Sequence, residues 1–297
     1  IMRQMLPATL GVSVAQISLL INTNIATWLA PGSVTWLSFA DRLMEFPTAL
    51  LGVALGTVLL PSLARANAER SGDEYSGLLD WGLRLVLLLG LPAALTMVML
   101  SDALVATLFH YGRFSATDVA QTRLAVMAYS AGLIGLLSVK ILAPGFYAQQ
   151  NIRTPVKIAI GVLVVTQLLN LVLVPWLAHA GLALAIGLGA CLNALALLVG
   201  LRRSGAYRPL TGWLPFAGRL LVALALMVVP LWFAETRIDW IALQASAWLR
   251  VAALAGVLAG AGVVYLAALW VMGVRYKHVR RPPPTRQEQN TVGNSGT

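Results

Sequence analysis

Eight apolar runs, each near the length needed to cross a hydrocarbon layer, constrain this 297-residue chain more than any other feature. They fall near residues 6–30, 36–63, 80–109, 122–148, 155–177, 181–201, 214–234 and 246–273. A bilayer core about 30 Å thick takes about 20 helical residues to span. A backbone facing lipid must satisfy its own N–H and C=O groups, so these runs have to be helices. Composition agrees: 59% of residues are hydrophobic and 11% charged, where a soluble domain carries about a quarter charged. The expected class is all-α, a polytopic membrane protein with about eight transmembrane helices.

Proline and glycine mark the joints. Pro31-Gly32 separates the first two runs, Pro155 suits an early helical position, Pro175 and Gly181 bracket a tight turn, and Pro215 lies near the start of the seventh. Pro92 and Pro144 sit inside runs, where they predict kinks. The opening "IMRQMLPATLG" has neither a first methionine nor a signal peptide, and reads as beginning in mid-protein. The last stretch, "RRPPPTRQEQNTVGNSGT", is polar and Pro-rich and predicts a disordered tail.

The net charge of +10 does not point to nucleic acid, because the basic residues are scattered over short loops without aromatic interleaving. Topology accounts for them. Fifteen Lys and Arg fall on one side, among them Arg65, Arg70, Arg84, Arg153, Lys157, Arg202 and Arg203, against Arg113, Arg123, Arg237 and Arg250 on the other. Cytoplasmic loops retain positive charge, so both ends of the chain are expected in the cytoplasm.

Catalytic signatures are missing: no phosphate-binding Gly-rich loop, no His-Glu-x-x-His and no G-x-S-x-G elbow occurs. His110, His179 and His278 stand apart and predict interfacial residues rather than metal ligands. Cys191 is the only cysteine, so no internal disulfide forms. No cofactor and no enzymatic activity are expected.

The stretch "FADRLMEFPTALLGVALGTVLLP" stands out, since Asp41, Arg42 and Glu45 interrupt a run otherwise apolar enough to be buried in lipid. At about 100° per residue the three can share one side of a helix and neutralise one another. Two explanations stay open: a structural ion-pair cluster near the span end, or a charged face on a water-filled cavity. Arginine in such a cavity favours a phosphate or carboxylate, which its planar fork grips with two parallel hydrogen bonds. Lys140 lies deep in the fourth run and either snorkels to the surface or adds a second cavity cation. Gln16, Asn22, Asn24, Gln167, Asn170 and Asn193 predict helix–helix hydrogen bonds. Gly52 with Gly56, and Gly256 with Gly260, suit close helix approach.

Three segments resemble the MviN/MurJ family of lipid II flippases, within the larger group of multidrug, oligosaccharide-lipid and polysaccharide exporters. They are "FADRLMEFPTALLGVALGTVLLPSLA" at 39–64, "KILAPGFYAQQNIRTPVKIAI" at 140–160 and "HAGLALAIGLGACLNALALL" at 179–198. The resemblance implies the second six-helix lobe at 1–203, two additional helices bordering a lipid groove at 212–275, and a disordered cytoplasmic tail at 276–297. It also implies a bacterial inner-membrane location and transport of a lipid-linked peptidoglycan precursor, completed by a first lobe of the same protein. Arg42 matches the family's second-lobe cavity arginine, with Asp41 and Glu45 beside it and Lys140 as the further candidate for substrate binding. An exporter of another lipid-linked oligosaccharide or a drug, and a non-transporting membrane scaffold, are the alternatives.

Overall fold

The structure is a computed structural model that describes residues 2–273. Nine α-helices and one short 3-10 turn account for its regular structure, and no strand occurs among the described residues. The helices are α1 (Met2–Thr27), α2 (Ser33–Ala68), α3 (Gly72–Met99), α4 (Ser101–Phe109) and α5 (Ala116–Ser130). They continue as α6 (Leu133–Ala148), α7 (Arg153–Arg203), α8 (Trp213–Arg237) and α9 (Ala247–Val271). The tail expected over 276–297, and His278 within it, lie outside the described residues.

All eight expected runs are helical, and the differences lie in where helices break. The third run is two helices, α3 and α4, parted at Leu100, and the fourth is α5 and α6, bent by 41°. Neither break falls at the expected Pro92 or Pro144, both of which sit inside continuous helices. The bend falls at Ala131-Gly132, where packing sets it: a Cβ on Gly132 would lie 2.1 Å from the Gly187 Cα, and one on Gly135 would lie 2.4 Å from the Cys191 amide nitrogen. Between helices in lipid, close approach over small residues replaces the hydrophobic drive available in water. Four helices (α3, α7, α8 and α9) are each long and apolar enough to cross a membrane, as is the bent α5–α6 pair taken together.

α7 doubles back on itself. Its backbone leaves the helical region at Ala178, with φ 49° and ψ −129°. A Cβ on Gly181 would meet the Leu173 carbonyl oxygen at 2.6 Å, so the two arms lie side by side beyond a one-residue corner. This is the turn expected between Pro175 and Gly181. An alanine at positive φ costs about 1–3 kcal/mol and persists only where its surroundings hold it.

α2, α3, α5, α6 and α7 form an interlocked bundle, α1 lies on α7 and α2, and α8 and α9 pair with one another against α3 and α4. Tyr265 of α9 donates to the Leu88 carbonyl of α3 at 2.6 Å. Four exposed tryptophans lie at one end of the bundle, Trp28 after α1, Trp176 at the α7 corner, Trp232 late in α8 and Trp248 early in α9, while exposed Trp270 lies at the far end of α9. Such rings favour the membrane–water boundary. The other end carries exposed Arg65, Arg70, Arg153, Lys157, Arg202 and Arg203.

Candidate functional site

Asp41, Glu45, Thr48 and Gly52 follow one another at spacings of four, three and four residues on α2, which stacks them on a single helix face. Asp41 and Glu45 are exposed there. α6 adds Lys140 to the same face: its ammonium donates to the Thr48 carbonyl at 3.0 Å, and its chain lies over Gly52. The position is deep, since Thr48 is fifteen residues into α2, about 22 Å along the axis at 1.5 Å per residue.

Arg42 departs from the expected cluster. One residue on from Asp41, it is turned about 100° round the helix and sits beside Phe39, 6.0 Å from that ring's centroid. Phe39 is itself held by Phe109 at 4.5 Å and Phe114 at 5.2 Å. Among the described residues Arg42 makes no ion pair or hydrogen bond, so the mutual neutralisation expected with Asp41 and Glu45 does not form. The guanidinium is exposed on an aromatic support with its donors unused by the protein. Chemically, such a group is ready to take two oxygens of an anion at once.

Asp41 also borders a pocket of about 290 Å³ between α1, α2, α5 and α7, lined by Ser18, Asn22, Thr23, Ser38 and Tyr129 among others. Behind it the expected amide contacts are present: Asn170 donates to Asn22 at 2.9 Å and to Gln167 at 3.0 Å. Asn24 serves locally, accepting from Trp28 Nε1 at 3.2 Å. Among the described residues no three side chains converge as a metal site. His179 is buried beside the α7 corner, with Nε2 2.9 Å from the Gln121 carbonyl and its ring 5.0 Å from Trp36, and His110 is buried at the end of α4.

A second concavity runs between α8 and α9. It is a groove of about 420 Å³ lined by Phe233, Ala234, Ala253, Gly256 and Gly260 among others, with Arg237 as its one charged lining residue. Gly256 and Gly260 therefore do not bring helices together, and a Cβ on either would meet nothing within 4 Å. They leave the groove open.

Two polar centres escaped the sequence pattern. Asp80 of α3 is buried; one carboxylate oxygen accepts from Tyr207 at 2.8 Å and Trp213 at 2.7 Å, and the other pairs with Arg84 at 3.0 Å. Arg84 also lies over the Trp213 and Phe216 rings, so this centre ties α3 to the start of α8. Only the four-residue Asp80–Arg84 spacing hints at it in the sequence. At the opposite end Arg250 of α9, expected among the charges of the less basic side, is fully buried, stacked 5.0 Å from Tyr111 and donating to the His110 carbonyl at 3.4 Å.

Comparison with known proteins places these features in context. A family model described as "Lipid II flippase MurJ" matches residues 1–251. A lipid II flippase MurJ of Burkholderia cenocepacia is 52% identical over 281 residues, covering 95% of this chain and 54% of that protein. A probable lipid II flippase MurJ of Vibrio cholerae is 38% identical, covering 93% of this chain and 52% of its own length. The chain thus spans about half the length of the curated relatives it matches. Among solved structures, a lipid II flippase MurJ in an inward closed conformation superposes with a TM-score of 0.72 at 20% identity, covering 90% of this chain and 52% of that one. An outward-facing MATE-family multidrug resistance transporter of the MOP superfamily gives 0.61 at 17% identity, covering 94% and 66%. At these identities both describe a shared fold.

Proposed function

The chain belongs to the lipid II flippase MurJ family, and from that membership we propose that it forms the second lobe and the additional helix pair of a lipid II flippase. Residues 1–203 are the lobe, 212–275 the pair, and a first lobe of the same protein supplies the facing wall. The relatives' length, about twice the span matched here, supports that division.

The cargo is the lipid-linked peptidoglycan precursor, carried from the cytoplasmic to the periplasmic leaflet by rocking of two lobes about a site near the bilayer midplane. Its sugar-pyrophosphate head occupies the hydrated space against α2 while its polyprenyl tail stays in lipid, which avoids most of the cost of drawing charge through hydrocarbon. The basic end of the bundle faces the cytoplasm and the tryptophan-rich end the periplasm, in keeping with positive charge retained inside. The groove between α8 and α9 takes the tail; its lining, apolar apart from Arg237, suits an acyl-like chain.

One observation carries this proposal: Arg42 presents an unengaged guanidinium on the same helix as an exposed acidic face. Arg42 grips the pyrophosphate, and Asp41 and Glu45 flank it and keep the surroundings wet. The test is Arg42→Lys in the full-length protein, read as precursor reaching the periplasmic leaflet. Lysine keeps the charge and loses the fork, so flipping falls about tenfold. Flipping at the normal rate, with normal protein abundance, would remove Arg42 from the headgroup site.

A further inference from the structure

The headgroup face of α2 contains a notch, and one side chain lies in it. A Cβ placed on Gly52 would meet Lys140 Nζ at 2.7 Å and Cδ at 2.9 Å, so the lysine chain occupies the space a side chain at 52 would fill. From there its ammonium reaches the Thr48 carbonyl. We propose that Gly52 is the positioning residue for Lys140: its missing side chain lays the lysine across α2 and fixes the ammonium one turn from Glu45.

The stretch of α2 beside this contact departs from plain helical hydrogen bonding. Pro47 lies inside α2 and has no N–H, so the Leu43 carbonyl loses its helical donor. Just beyond it the Thr48 hydroxyl turns back to the Met44 and Glu45 carbonyls at 2.9 and 3.0 Å. One turn further along, Lys140 of α6 adds a charged donor to the Thr48 carbonyl. An ammonium has three N–H groups and this contact uses one, leaving two for whatever occupies the face.

Lys140 is therefore not a freely moving cation and does not snorkel to the membrane surface. It is docked, and the docking depends on a residue from another helix. Gly132, Gly135 and Gly181 meet neighbouring backbone, and Gly82 and Gly90 meet packed aliphatic side chains. Gly52 meets the far end of a flexible side chain, so filling it moves the lysine and leaves the helix crossing in place. Alanine is also the better helix former by about 1 kcal/mol, so Gly52→Ala does not weaken α2.

The functional half of this inference rests on α2 being the headgroup face, so the experiment separates the two. In purified full-length protein, acylation of Lys140 by a small water-soluble amine reagent is followed by peptide mass spectrometry, with exposed Lys157 as the internal reference. Gly52→Ala frees the ammonium and raises the Lys140 rate about threefold or more, the scale on which contacting residues couple. An unchanged ratio overturns the notch. Flipping is then compared for Gly52→Ala, Lys140→Met and the double variant. A double variant no slower than Lys140→Met alone shows that Gly52 acts through Lys140, whereas independent multiplication of the two losses overturns that. If the acylation ratio shifts while Lys140→Met flips normally, the notch stands and Lys140 leaves the headgroup site.

Discussion

Two sets of charges on neighbouring helices are treated in opposite ways. Around Asp80 every strong acceptor is used: Arg84, Tyr207 and Trp213 surround a buried carboxylate and fasten α3 to α8. Around Arg42 the guanidinium is left to an aromatic edge and solvent, and Asp41 and Glu45 are exposed beside it. Burial explains the first arrangement, because an unpaired charge out of water is strongly unfavourable. The second lacks that compulsion, so its charges stay available to a ligand. Charge within a membrane helix is therefore not one signal: pairing marks attachment, and its absence on an exposed face marks a place for something else.

The largest expected effect lies on the paired side. Asp80→Leu strands the Arg84 guanidinium and leaves Tyr207 and Trp213 without their acceptor, a loss of about 3–5 kcal/mol for breaking a buried pair. Thermal melting and membrane abundance of the full-length protein should both fall steeply. A melt unchanged from the parent would mean that the Asp80 centre fastens nothing.

Arg42→Ala should show the reverse profile. With no ion pair to break, its melting should stay within about 0.5 kcal/mol of the parent, while flipping falls further than in the lysine variant. A large loss of stability would place Arg42 with Asp80 and erase the contrast. The groove gives a smaller effect of the same kind: Gly256→Leu fills open space between α8 and α9. Crosslinking of a polyprenyl probe to α8 and α9 should drop several-fold, about 1 kcal/mol of binding, and folding should be retained. Unchanged crosslinking would put the tail elsewhere.

The smallest effect concerns Arg250, which is fully buried yet leaves Nε and Nη1 without acceptors. Replacing a poorly satisfied buried ion with an apolar side chain of similar size is often neutral or stabilising. Arg250→Met should therefore shift the melt by about 1 kcal/mol at most. A steep loss would show that this arginine fastens α9 as strongly as Asp80 fastens α8.

How much of this was legible in the sequence follows the range of the forces involved. The helical runs and the corner between Pro175 and Gly181 could be read because hydropathy and backbone chemistry are local. The placing of Asp41 and Glu45 on one face follows from helical periodicity alone, and its exposure does not. The orientation of Arg42 does not, since it depends on Phe109 and Phe114, which arrive from α4 and the loop after it. Arg250 could be assigned to the less basic side, but nothing nearby in sequence shows that α4 and Tyr111 enclose it. Gly256 and Gly260 carry the spacing of a helix contact, yet they line a groove, since spacing says which residues share a face and not whether a neighbour is present.

The corner at Ala178 also bears on how the chain enters a membrane during synthesis. A one-residue turn between Leu177 and His179 leaves no polar loop to be carried through the hydrocarbon. The two arms of α7 can then partition from the insertion machinery together, as one preformed helical hairpin, with Arg153 and Lys157 at one root and Arg202 and Arg203 at the other, both at the end away from the corner.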